Sequence, residues 1–241
     1  MKIEICANSF ESAKNAQEAG ADRIELCTEL SVGGLTPSHG LIEKVCAELS
    51  IPVHVLIRPR SGNFCYSDEE LDIMIRDISF CKKMGCSGVV SGVLTSESNI
   101  DDIATRNLIN ASEGLEFTFH RAFDWCKNPL QEVENLINLG VHRILSSGQQ
   151  NTAIEGIDLL KQIKNCSEKR IEIMPGSGIN YTNALAFKEA GFSNIHFSAT
   201  ERKQVLKNTP KVSMHSDSFF EEGIIASSNK EMIQEIKELL A

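Results

Sequence analysis

Arg23-Ile24-Glu25-Leu26-Cys27 alternates strictly, with Ile24 and Leu26 on one face and Arg23, Glu25 and Cys27 on the other. The same pattern recurs in Lys2-Ile3-Glu4-Ile5-Cys6, His54-Val55-Leu56-Ile57-Arg58 and Arg170-Ile171-Glu172-Ile173-Met174. A period of two is the signature of a strand. A parallel strand covered by helices on both sides reads instead as a continuous apolar run. These strands therefore have one face against helices and a second face that meets other polar side chains. Burying such groups is costly unless they are paired or used. The pattern implies an enclosed ion-pair network, a site, or both.

Working outward, a register appears at Gly20-x-x-Arg23-Ile24, Gly85-x-x-Gly88-Val89, Gly140-x-x-Arg143-Ile144 and Gly191-x-x-Asn194-Ile195. Each glycine closes a helical pattern, where a left-handed residue is needed, and a short loop leads into a strand. Helix openings are expected at Thr36-Pro37, at Asn128-Pro129 and at the capping box Ser67-Asp68-Glu69-Glu70. Strands are expected near 2–6, 23–27, 53–58, 88–92, 115–120, 143–147, 170–174 and 194–198, with a helix after nearly every one. Eight βα units in this length predict a closed (β/α)₈ barrel. An open doubly wound sheet is disfavoured, because no G-x-G-x-x-G follows the first strand and because the alternation needs an inside that differs from the outside. The expected organisation is a single domain: a barrel core over 1–200 and an extension over 201–241 that completes it. Within that extension, 200–227 reads as irregular and contains Pro210, Met214, His215, Phe219 and Phe220; a last helix is expected at 229–240.

With 24 Lys+Arg against 33 Asp+Glu, the net charge of −9 over 241 residues argues against a nucleic-acid or anionic-membrane partner. The chain has no apolar run of spanning length and opens directly on its first strand, so a cytoplasmic protein is expected. The eight cysteines form no CxxC pair and are expected to be reduced thiols. Cys46 and Cys166 read as helix core positions. His39, His142 and His215 read as surface or structural residues.

In a closed barrel, ligands bind at the carboxyl ends of the strands. Candidate general acids and bases there are Glu4, Glu25, His120, Asp124, Glu172 and His196. A cavity of low dielectric moves such groups toward neutrality. Arg58, Arg60 and Arg121, with Ser147 and the turns at Gly148, Gly176 and Gly178, form a candidate binding set for a small phosphate- or carboxylate-bearing molecule. The same carboxylates could instead simply neutralise Arg58 and neighbouring cations. Cys6 and Cys27 occupy equivalent places on adjacent strands, and the same parity turns Met174 and His196 inward. Thiolate, thioether and imidazole are ligands that copper(I) prefers, although buried cysteines also pack without any function.

Six longer stretches carry a resemblance: Gly20-Ala-Asp-Arg-Ile-Glu-Leu-Cys27, Gly33-Gly-Leu-Thr-Pro-Ser38, Ile57-Arg-Pro-Arg60, Phe64-Cys-Tyr-Ser67, Thr118-Phe-His-Arg-Ala-Phe-Asp124 and Leu145-Ser-Ser-Gly148. Over nearly all of residues 1–200 the chain resembles the CutC family. The resemblance implies a TIM-like barrel, a cytoplasmic location, homo-oligomers (dimers or tetramers) and a part in copper homeostasis, with copper as the bound ion. The alternative kept beside it is an isomerase- or lyase-like enzyme.

Overall fold

In the computed structural model, which describes residues 1–208, 212 and 224–241, the aliphatic faces of the alternating runs meet helices and the polar faces meet one another. The elements follow as β1 (Lys2–Ala7), α1 (Phe10–Glu18), β2 (Arg23–Leu26), α2 (His39–Glu48), β3 (Val53–Leu56), α3 (Asp68–Lys83), β4 (Gly88–Ser91), α4 (Asp102–Ala111) and β5 (Glu116–Phe119). Then come α5 (Pro129–Leu139), β6 (Arg143–Ser146), α6 (Ile157–Ser167), β7 (Glu172–Pro175), α7 (Ala184–Glu189) and β8 (Asn194–Phe197). β9 (Thr200–Gln204), β10 (Ile224–Ser228) and α8 (Lys230–Leu240) complete the chain. The first eight strands are parallel and ordered β7-β6-β5-β4-β3-β2-β1-β8, and a parallel bridge from Gly176 to His196 brings the two ends together. This is a TIM-like (β/α)₈ barrel.

The alternation separates two apolar populations. Ile3, Ile5, Ile24, Leu26, Val53, Val55, Val89 and Ile195 belong to one large core between strands and helices, while Cys6, Cys27, Leu56 and Val90 form a small separate cluster inside the barrel. Each fully buried aliphatic side chain of the outer layer contributes about 1.5–3 kcal/mol. Gly20, Gly85, Gly140 and Gly191 all have φ between +76° and +87° at the helix ends, as the repeat requires. Ser67 and Glu70 form the expected capping box. The expected start at Thr36-Pro37 is corrected: α2 is capped by Ser38, because Thr36 Oγ1 is spent accepting the Arg58 backbone N–H at 2.8 Å.

At the amino end of the barrel the inward charges neutralise one another. Arg23 Nε donates to Glu4 Oε2, and Arg143 donates to Glu172 at 2.6 Å, Glu116 at 3.0 Å and Thr118 at 2.9 Å. The buried network anticipated as the plainer explanation exists, but it is built on Arg23 and Arg143 rather than Arg58. The reading of 200–227 as irregular is corrected at both ends. β9 and β10 pair antiparallel from Thr200↔Ser228 to Gln204↔Ile224, and β10 is tied to α1 by Ser228 N donating to Ser12 Oγ at 2.9 Å. Pro210, Met214, His215, Phe219 and Phe220 lie outside the described residues. Ile233, Ile236 and Leu240 bury the inner face of α8 against the barrel helices. Cys46 is half-buried, 3.6 Å from Cys86 Sγ, and Cys166 is exposed, so neither is a core position. Among the described residues no helix is long and apolar enough to cross a membrane.

Candidate functional site

A cavity of about 800 Å³ opens at the carboxyl end of the barrel. Its floor comes from β1, β2 and β8, whose register sets Cys6 beside Glu25 and Glu4 beside His196. Cys6 Sγ lies 3.6 Å from Cys27 Sγ and donates to Glu25 Oε1 at 3.6 Å. Ligand atoms of Cys6, Glu25 and His196 all fall within 4.8 Å of one another. His196 Nδ1 donates to Glu4 Oε1 at 2.8 Å, and the ring also hydrogen-bonds Cys6, which leaves Nε2 facing the thiol. A carboxylate fixing one imidazole nitrogen while the other faces a site is the arrangement found behind metal-ligating histidines.

The electrostatics of the floor follow from crowding. Burial favours the neutral form of Glu4, but the His196 hydrogen bond and the charges of Arg23, His196 and His54 prevail and hold its carboxyl well below the usual range. Burial pushes the Glu25 carboxyl up, and the Glu4 charge adds to this against the opposing pull of His196. Cys27 and burial push the Cys6 thiol well up, with Glu25 contributing in the same direction. For His196, burial favours the neutral ring, yet Glu25, Cys6 and Glu4 raise it well above an ordinary histidine. The floor thus pairs a stabilised imidazolium with a neutral Cys6 thiol and a reluctant carboxylate.

The wall above carries Arg58, Phe64, His120, Arg121 and Gly178, with Thr200 and Arg202 from the β9–β10 ribbon. His120 is buried, and burial followed by the charge of Arg58 lowers it to about 3, so the ring is neutral. Burial lifts the Tyr66 phenol to about 12, against the charges of Arg58 and Arg60.

Several expected site residues do not reach this cavity. Glu172 is the first residue of β7 and sits in the ion-pair network at the opposite end, and Glu4 lies beneath His196 without lining the space. Met174 accepts from Arg23 at 3.6 Å, away from the thiols. Arg60 is held by Glu70 and the Cys65 carbonyl. Asp124 accepts from Arg121, Ser146 and the Ser147 backbone, which binds the loops after β5 and β6 together. The Gly148 N–H goes to Ser146 Oγ and the Gly176 N–H to Ser146 O, so neither is free for an anion.

The sequence model of the CutC family matches residues 1–201. The chain belongs to the CutC family. A CutC family protein of Pasteurella multocida (strain Pm70) is 48% identical over 199 residues, covering 82% of each chain. One from Proteus mirabilis (strain HI4320) is 41% identical and covers 100% of this chain and 96% of its own. A solved structure from Streptococcus agalactiae, described as a candidate copper homeostasis protein CutC, is 37% identical with a TM-score of 0.78, covering 82% of this chain and 98% of its own. A thiamine phosphate pyrophosphorylase from Pyrococcus furiosus, 14% identical with a TM-score of 0.59, covers 99% of this chain and 95% of its own and shares the fold alone.

The cavity of this CutC-family chain also uses residues that the sequence reading passed over. Glu29 and Leu30 lie three and four residues past the end of β2, where the rule about strand ends would have found them. Phe64 lies in a motif already quoted. Arg202 carried no signal, because it depends on a ribbon that the βα repeat does not contain.

Proposed function

We propose that this CutC-family protein takes copper(I) as cargo at the barrel floor, on Cys6 and Cys27 with His196 as third donor. The observation that carries this reading is the pair of thiols 3.6 Å apart, one of which, Cys6, stands beside an imidazole whose Nδ1 is engaged by Glu4. Soft sulfur and imidazole suit copper(I) and suit hard cations poorly. The Cys6 thiol is held neutral when the site is empty, so loading displaces its proton and affinity falls as pH falls. The solved relative described as a candidate copper homeostasis protein supports the same reading. Competition against a colorimetric copper(I) chelator tests it: one ion is expected per chain, and Cys6→Ala/Cys27→Ala is expected to bind roughly 100-fold more weakly, having lost both thiolates. Undiminished affinity in the folded double variant ends the proposal.

The size of the cavity favours a second reading, because about 800 Å³ is far more than one ion fills and is the scale of a small-molecule site. In that reading the protein is an isomerase- or lyase-like enzyme in which Glu25 removes a proton from an anionic substrate and the His196 imidazolium returns one. Exchange of substrate carbon-bound hydrogen with deuterated solvent, abolished by Glu25→Gln, is the expected signature. The copper reading needs reduced thiols, which a cytoplasmic setting supplies. The proposal further takes 1–200 and 201–241 as one domain. On the family resemblance it also takes the protein as a homo-oligomer, dimer or tetramer, which light scattering would detect.

A further inference from the structure

Arg58 is 5% exposed, and its guanidinium donates to the backbone carbonyls of Val32 at 2.7 Å, Gly34 at 2.8 Å and Gly62 at 3.2 Å, with the Tyr66 phenol beside it and no carboxylate paired with it among the described residues. A buried guanidinium held by carbonyls and a neutral phenol has its position fixed but its charge unanswered. His120 is also 5% exposed. Its Nδ1 accepts the Ala122 backbone N–H at 3.2 Å, so the ring proton sits on Nε2, and that buried donor has no partner. The two groups flank one ring: Phe64 lies 5.0 Å from the Arg58 guanidinium and 4.9 Å from the His120 ring. The opposite side of the imidazole is closed by Gly92, where an added Cβ would come within 2.7 Å of Nδ1. Both side chains line the cavity, together with Leu30, Leu56 and Phe197.

We infer that this wall is a subsite for a small organic acid, whose carboxylate neutralises Arg58 and accepts the His120 Nε2–H while its carbon skeleton packs on Leu30, Leu56 and Phe64. A carboxylate supplies the missing charge and the missing acceptor together. Phosphate fits less well, since two of the three turn N–H groups expected to cradle it, those of Gly148 and Gly176, are already engaged. The inference deepens the enzyme reading by naming its substrate class, and it leaves the copper donors untouched.

The test is calorimetric and NMR titration of the full chain, without added metal, with acetate, pyruvate, succinate and inorganic phosphate. At least one of the three carboxylates is expected to bind saturably and to shift the His120 Nε2–H resonance, with phosphate weaker. His120→Phe is expected to bind that carboxylate roughly tenfold more weakly or worse, the cost of a lost charged hydrogen bond. His120→Gln, which keeps a side-chain N–H, should recover part of the affinity, and this separates donor loss from misfolding. Absence of saturable carboxylate binding, phosphate binding as tight as the best carboxylate, or unchanged affinity in His120→Phe overturns the inference. Carboxylate binding without solvent exchange leaves the subsite standing and removes the enzyme reading, so the two can fail separately.

Discussion

Glu4 joins the two chemistries of the barrel, since one of its oxygens takes Arg23 and the other takes His196. Glu4→Gln keeps the shape but removes the nearer carboxylate of the buried Arg23 guanidinium and leaves it Glu116 at 4.0 Å, a loss approaching the roughly 3–5 kcal/mol of removing one partner of a buried pair. Urea denaturation should record that loss. In chain that still folds, copper(I) affinity is expected to drop about 10-fold to 100-fold, the usual effect of removing the group that orients a ligating imidazole. Gly88 makes a different residue-level demand. An added Cβ would come within 2.6–2.7 Å of three ring atoms of His54, which is itself 1% exposed. Gly88→Ala is therefore expected to lower stability by about 1–3 kcal/mol, the range for overpacking a filled interior, with the shift read from thermal melts. Glycine stands here because the histidine ring occupies the space a side chain would need.

At the scale of elements, the 16-residue α3 begins at Ser67, whose side chain accepts the Glu70 N–H while Glu70 accepts the Ser67 N–H. Ser67→Ala is expected to cost about 1 kcal/mol of stability, measured by chemical denaturation, as for other lost helix caps. The capping box was legible because it is local: four consecutive residues hold all of its hydrogen bonds. Thr36-Pro37 has the same local grammar and was misread, since the Thr36 hydroxyl is claimed by Arg58, 22 positions away. The strands were legible for a similar reason, since period-two alternation assigns each side chain to a face. It does not assign height along the barrel axis, because that depends on how neighbouring strands are staggered. Glu25 and Glu172 therefore looked equivalent in sequence, while one lies at the ligand mouth and the other at the opposite end. The pairing of Cys6 with Cys27 could be anticipated from adjacent strands. The bonds from Asp124 to Ser146 and Ser147 could not, because two irregular loops make them.

Across the whole molecule, the interior titrates in two opposing directions, and this sets the pH range over which the barrel is stable. His54 is lowered to about 4, chiefly by burial with the charges of Arg23 and Arg143 adding to it, and His120 is lowered to about 3 by burial and Arg58. Unfolded, both would titrate near 6.5. Between those values the unfolded chain binds more protons than the folded one, so stability falls as pH drops below about 6.5. Glu4 acts the same way lower down, because its carboxylate is stabilised in the fold and its contribution is lost as pH falls below the unfolded value of 4.5. His196 has the opposite sign. Its folded value is raised, so its contribution is fully present below 6.5 and declines as pH rises through the raised value. A dome-shaped stability profile follows, with its acid limb beginning where ordinary histidines titrate. Urea midpoints at pH 7, 5.5 and 4.5 should fall progressively, the two depressed histidines each accounting for about 1–3 kcal/mol by pH 4.5. His120→Phe, which removes one titrating group and keeps an aromatic ring, should make the acid limb shallower. An equally steep limb in that variant would show that His120 is not held neutral in the fold. The tautomer assigned to the proposed carboxylate subsite would then be wrong as well, since a protonated ring could not accept the Ala122 N–H.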